Sequence, residues 1–173
     1  MFRHRLLRLF DAVFPSPVAL AVALAGTTAA AVVVATTLPS DGPFLPDWVI
    51  WPIFLGLFPV HARTVRAVLP KRRDLRAYFL SAPRPLLVAA TVAAACTFAL
   101  VMHAVATARG NPERHRGGYY LRNHTDLTRV SRSEYRYAER LEERIFAGVA
   151  LVFYLAGILV NAGQTARLRR VRA

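Results

Sequence analysis

Residues 18–38 run for 21 positions without a charge, VALAVALAGTTAAAVVVATTL. At about 1.5 Å per residue the run is about 31 Å long, the thickness of one bilayer hydrocarbon core. Lipid offers backbone N–H and C=O groups no partners, so a crossing segment must satisfy them internally as a helix. Three more apolar runs follow, at about 48–69, 85–107 and 145–163. Together they predict an all-α membrane protein with four transmembrane helices in one domain, 1–173.

Composition supports a membrane class. Hydrophobic residues make up 55% of the chain and charged residues 19%, against roughly 45–50% and about 25% in soluble domains. The net charge of +13 rests on 23 basic residues, all Arg except Lys71. Most of them flank apolar runs, which points to anionic lipid head groups at cytoplasmic Arg clusters, with no nucleic acid as partner. The lone Cys96 excludes a disulfide framework within one chain.

Each run has its own signals. Arg3, Arg5 and Arg8 alternate with Leu6, Leu7, Leu9 and Phe10, an amphipathic opening for a membrane surface. Ala23-Leu24-Ala25 after that basic start also fits a signal-peptide cleavage site, but the apolar run continues well beyond it. The second run has only 13 residues before His61, so a re-entrant or surface helix competes with a span there. Trp48 and Trp51 suit an interfacial belt, and Pro52 and Pro59 predict kinks. In the basic connector 70–84, Leu75, Tyr78 and Phe79 have the spacing of an interfacial helix, and Pro85 suits the first turn of the third span.

The arginines set the orientation. If all four runs cross, both termini and the 70–84 connector share one side, which holds 14 basic and two acidic residues once Arg63 and Arg66, bordering the connector, are counted. The other side holds nine arginines and eight acids. The positive-inside bias therefore predicts a cell (inner) membrane protein with both termini cytoplasmic and residues 109–144 outside.

The fourth run is preceded by charge with no break, VSRSEYRYAERLEERIFAG. Ser131 and Glu134 form a capping-box pattern, flanked by Val130 and Tyr135 at the staple positions, so a helix starts at Arg132. Continuing to about Gly163 it would reach about 48 Å at ~1.5 Å per residue, so its first turns stand above the membrane as a stalk. Arg132, Arg136, Arg140 and Arg144 form one solvated stripe beside Tyr137, Leu141 and Ile145. Ahead of the stalk, Asn123-His124-Thr125-Asp126 separates two strand-like pieces, 119–122 and 127–130. A small extracytoplasmic β-hairpin between helices 3 and 4 follows, leaning on the stalk through Tyr119, Leu121, Leu127 and Tyr137.

Candidate chemistry is thin. His61 and His103 fall at depths about 13 Å apart, which disfavours haem ligation, and His115 with His124 lacks zinc spacing. No cofactor or metal is expected. Glu142 to Gly148, EERIFAG, resembles the first motif of the CAAX-processing and bacteriocin-processing membrane proteases, Glu-Glu-x-x-x-Arg. Ala147 stands where that family has Arg, and no His follows His124. A membrane-embedded hydrolase using Glu142 and Glu143 is the alternative reading, and a small transporter or channel subunit the third.

Gly118-Tyr119-Tyr120-Leu121-Arg122-Asn123-His124, then Glu134-Tyr135 and Glu142-Glu143-Arg144-Ile145-Phe146, resembles a pattern of uncharacterised bacterial, actinobacterial, multi-pass membrane proteins. They carry a Gly-x-Tyr-x-Leu-x-Asn-His loop before the last span. The strand spacing departs by one residue, and Thr125 replaces an expected Gly. The resemblance implies a membrane location and supplies no catalytic role. The chain therefore reads as a non-enzymatic structural, interaction or accessory subunit. Tyr119, Tyr120, Asn123, His124, Arg132, Arg136 and Arg140 form the surface expected to meet a protein partner or a second copy.

Overall fold

The structure is a computed structural model that describes residues 16–38, 47–68, 75–115 and 117–172. The amphipathic opening, the acidic loop after the first run and the start of the basic connector lie outside the described residues. The elements in chain order are α1 Ser16–Thr36, α2 Asp47–Val68, α3 Leu75–Phe79, α4 Arg84–Thr107, β1 Asn111–His115, β2 Gly118–Asn123, β3 Asp126–Arg129 and α5 Arg132–Arg172. Three helices, α1, α4 and α5, are long and apolar enough to cross a membrane, while the apolar part of α2 is the shorter 50–62.

Several threonine hydroxyls in the apolar runs are satisfied locally. Thr27 donates to the Ala23 carbonyl at 2.7 Å, Thr97 to Ala93 at 2.8 Å and Thr37 to Val34 at 2.7 Å. Back-bonding of this kind lets threonine sit in an apolar helix without a bare donor. Pro85 falls in the first turn of α4, as its missing N–H predicts.

Helix α5 is the centre of the bundle. Its apolar half is buried on several faces: Ala147, Ala150, Leu151, Tyr154, Ile158 and Val160. Three helices lie alongside it. Thr37, just past the end of α1, meets Arg144 and Gly26 meets Tyr154, so α1 runs antiparallel to α5. Val101 of α4 meets Gly148, and Ala90 clusters with Leu159, so α4 is antiparallel as well. Phe54 of α2 packs edge-on against Phe146, and Val60 meets Gly157, so α2 runs parallel to α5 over the same stretch. Without a hydrophobic force to join helices in lipid, close approach over small residues is what holds such contacts. Gly26 and Gly56 both lie against Tyr154, and a β-carbon at either would overlap that side chain. Tyr154 donates its hydroxyl to the Ile53 carbonyl at 2.5 Å.

The far end of the bundle is closed by α3. The Tyr78 backbone rests on Gly163, where no side chain fits, and Tyr78 is buried. Arg167 donates to Ser81 Oγ at 2.9 Å and lies 4.9 Å from the Tyr78 ring centre. The interfacial helix expected in the connector is thus a five-residue turn docked on α5.

Two expectations need correction. The hairpin is a three-stranded antiparallel sheet ordered β1-β2-β3. Gly117, at φ 77°, sits in the turn joining the additional strand β1 to β2. And α5 does not end near Gly163; it continues to Arg172, since nothing after Gly163 breaks a helix.

Candidate functional site

The capping box forms as the spacing requires. The Ser131 hydroxyl accepts from the Glu134 N–H at 3.2 Å, and Glu134 Oε2 accepts from the Ser131 N–H at 2.9 Å. That backbone bond, followed by the Ser131 hydroxyl, holds the Glu134 carboxyl below its ordinary value. From there α5 passes Arg144 and enters the bundle without interruption, covering 41 residues and about 62 Å at ~1.5 Å each.

The sheet packs on the stalk by one face. Pro112 pairs with Leu121 and Arg114 with Tyr119, so these four side chains share that face. Tyr119 packs at a tilt against Tyr135 with ring centres 5.0 Å apart, and the Arg114 guanidinium lies 5.7 Å from each ring. Burial, then the Glu139 carboxylate, pushes the Tyr135 phenol above its usual value. Leu121 is buried there too. Leu127 is not: it pairs with Arg122 on the opposite face, and the period of two carries it away from the stalk. Tyr137 is half exposed, so Tyr135 is the stalk's anchor in its place.

The outer face carries Glu113, Tyr120 and Arg122. Arg122 Nη2 donates to Glu113 Oε1 at 2.8 Å, and this bond lowers the Glu113 pKa and raises that of Arg122. His124, at φ 56°, makes the β2–β3 turn, and its ring nitrogen meets Asn123 Oδ1 at 2.9 Å. His115 packs edge-on against Tyr120 at 6.1 Å. The two histidines stand at opposite ends of β2 and do not converge. Among the described residues no group of three or more His, Cys, Asp or Glu could hold a metal ion.

The expected partner surface is therefore divided. Asn123, His124, Arg132 and Arg136 are exposed, and Tyr120 and Arg140 are partly so. Tyr119 belongs to the sheet–stalk contact. The arginine stripe also loses its last member. Arg144 is buried at 8% exposure and reaches the end of α1, where Nη2 donates to the Thr37 carbonyl and Nε lies 3.4 Å from Thr37 Oγ1. A guanidinium there satisfies carbonyls that a helix end leaves open and complements its negative pole. Spacing alone showed Arg144 on a helix face and could not show that α1 ends against it.

Two recesses flank the stalk. One, of about 490 Å³, is lined by Trp51 and Phe54 of α2 and by Glu139, Glu142, Glu143 and Phe146 of α5. Glu143 is buried. The other, of about 990 Å³, lies between the end of α4, the stalk and strands β2 and β3. The sequence gives no direct sign of either: the first joins α2 to the distant α5, and the second forms only when α4, the sheet and the stalk fold against one another. His61 and His103 form no pair of ligands: His61 meets the Leu57 carbonyl and the Phe153 ring, and His103 is exposed on α4. Comparison with protein-family profiles, with curated proteins and with solved structures gives no match.

Proposed function

We propose that the chain is a four-span protein of the cell (inner) membrane, both termini cytoplasmic, whose sheet and stalk project outside and dock a partner protein or a second copy. In this reading it is a non-enzymatic accessory or interaction subunit. The observation that carries it is the unbroken α5, which serves as both the stalk under the sheet and the central rod of the bundle. A surface fixed this rigidly to a bundle suits holding a partner at a set height and angle. Counting α2 as the fourth span rests on its running beside α5 from Phe54 to Val60. The orientation rests on the arginine asymmetry, and the resemblance to bacterial multi-pass proteins supports the location.

A reporter that is active only outside the cytoplasm, fused after Arg122, is expected to be active. Activity only for a fusion after Leu69 would reverse the orientation. Photo-crosslinkers at Tyr120 and Arg136 are expected to give discrete protein adducts, whereas one at Phe98 on α4 gives lipid. Lipid adducts alone from the head positions would remove the docking role.

A hydrolase is the second reading, favoured by the recess that gathers Glu142 and Glu143 beside four aromatic rings. Two carboxylates at such a site could activate water. Peptidase activity abolished by Glu142→Gln with Glu143→Gln would establish it over the first.

A further inference from the structure

The smaller recess brings acids and aromatic rings together. Tyr135, Glu139, Glu142, Glu143 and Phe146 recur at helical spacing and share one face of α5. Trp51 and Phe54 meet them from the first turns of α2. The space between, about 490 Å³, is of the size that holds small molecules. No basic side chain lines it among the described residues. Nearby arginines are held elsewhere: Arg144 is turned to the end of α1, and Arg114 lies over the Tyr119 and Tyr135 rings from the sheet. Glu139 and Arg114 both act on the Tyr135 phenol, so that end of the recess is shared with the sheet. Glu142 and Glu143 come about one turn further along, towards Phe146, and Glu143 is only 5% exposed. Glu139 repels both of them along the helix, and burial raises the cost of charge at Glu143. A cation among them offsets both effects, and aromatic rings add to its hold through the negative faces of their π-systems. A metal ion fits poorly. Mg²⁺ or Ca²⁺ needs several converging oxygens, and among the described residues no group of three or more His, Cys, Asp or Glu could hold one. A bulky organic cation with an apolar surface needs no such convergence.

We propose that this recess binds one small organic cation, an alkylammonium or quaternary ammonium group carried on an apolar or aromatic body. The nitrogen lies beside Glu142 and Glu143, and the body lies against Trp51, Phe54 and Phe146. The site does not depend on the orientation of the chain, and it asks of the two glutamates a charge rather than the activation of water. Trp51 and Phe146 are exposed, which leaves the recess open to an ammonium from either a lipid head group or a dissolved amine.

Equilibrium dialysis of the purified full chain in a nonionic detergent against benzyltrimethylammonium tests this. One equivalent should be retained, and neopentylbenzene, the uncharged carbon analogue of the same shape, should not compete at equal concentration. Glu142→Gln with Glu143→Gln should weaken retention about thirtyfold. Trp51→Ala, at an exposed position, should weaken it about fivefold. Glu113→Gln with Glu134→Gln removes the same charge outside the recess and should leave retention unchanged. Helical circular dichroism checks each variant, and should the Glu142 and Glu143 pair fail to fold, Trp51→Ala and the carbon analogue carry the test. An equal loss in the control would make the effect diffuse charge and overturn the proposal. So would unaltered retention in Trp51→Ala or in the folded glutamine pair, or equal competition by neopentylbenzene. Displacement by magnesium at equal concentration would assign the acids to an inorganic cation and overturn it as well. Displacement by phosphatidylethanolamine and not by choline supports the site with a lipid head group as its source, and displacement by choline alone supports it with a dissolved amine. The peptidase assay reports separately. Retention without peptidase activity ends the hydrolase reading and leaves the cation site standing, and peptidase activity without retention does the opposite.

Discussion

Replacing Arg144 by methionine tests the joint between α1 and α5 most directly. Methionine keeps the unbranched apolar stem and removes the guanidinium. What is lost is a charge-assisted bond to the Thr37 carbonyl together with a longer one to Thr37 Oγ1 at 3.4 Å. Hydrogen bonds to charged groups contribute about 1.5–3 kcal/mol. Part of that is returned, because the variant no longer holds a desolvated cation. A net loss of about 2 kcal/mol follows, roughly a thirtyfold change in the unfolding equilibrium.

Thr37→Val is the companion variant. The Thr37 hydroxyl already donates to the Val34 carbonyl at 2.7 Å, and its contact with Arg144 is at the long limit of a hydrogen bond. Its loss should cost no more than about 0.5 kcal/mol, since a back-bonded helix hydroxyl adds little. Arg144→Lys, which keeps a point charge without the planar fork, should fall between the two. Unfolding in one detergent, followed by helical circular dichroism against a denaturing surfactant, ranks the three. If Arg144→Met matches the unaltered chain, or Thr37→Val costs as much as Arg144→Met, then the guanidinium is not what caps α1.

Tyr154→Phe removes only the bond to the Ile53 carbonyl and should cost about 0.6–1.7 kcal/mol, the range for hydrogen bonds between membrane helices, whereas Gly26→Val drives a branched side chain into the same ring and should disrupt the α1–α5 contact outright; the same surfactant titration separates them. Ser131→Ala should cost about 1 kcal/mol and speed amide exchange in the first turn of α5 alone. Glu113 and Glu134 are both held below the ordinary 4.5, so the stability they supply is fully present above that pH and is lost as pH falls through their lowered folded values. Protection of the β2 amides against exchange should therefore fall below about pH 4.5, and Glu113→Gln with Glu134→Gln should flatten that dependence.

The features legible in the sequence were those set by neighbours along the chain. The capping box at Ser131 needs only two side chains three residues apart, and the start of α5 fell where that spacing placed it. The turn at Asn123 to Asp126 was marked by its residue types, and the pairing of β2 with β3 followed. Strand β1 was not marked. Asn111-Pro112-Glu113-Arg114-His115 has no apolar alternation, because one face meets solvent and the other uses Pro112 and the Arg114 guanidinium against tyrosine rings. Pro112 reads as a strand breaker in sequence, yet it is tolerated on an edge strand. Both recesses and the Arg144–Thr37 joint depend on segments more than a hundred residues apart or on three elements at once.

The same distinction explains how α2 can lie in the bundle although its apolar stretch is only 50–62. Hydropathy judges a helix as if every face met lipid. α2 does not meet it so: Ile53 and Val60 are buried against α1 and α5, while Trp51, Leu55 and Phe58 form the exposed side. Its polar member His61 is taken up by the Leu57 carbonyl and an edge-on contact with the Phe153 ring. Pro52 and Pro59 remove two donors from the helix, a loss that packed neighbours make tolerable in lipid. A helix of marginal hydropathy thus needs its partners to stay at depth. The Tyr154 hydroxyl on Ile53 and the close approach of Val60 to Gly157 tie it to α5. If α2 is the fourth span, loosening those two contacts should release it from the membrane first, while α1, α4 and α5 remain inserted on their own hydropathy. Labelling of a cysteine placed at Phe58 by a membrane-impermeant thiol reagent, in a Cys96→Ser background, would show that release in Gly157→Ile and not in the parent; equal labelling of the parent would place α2 at the surface.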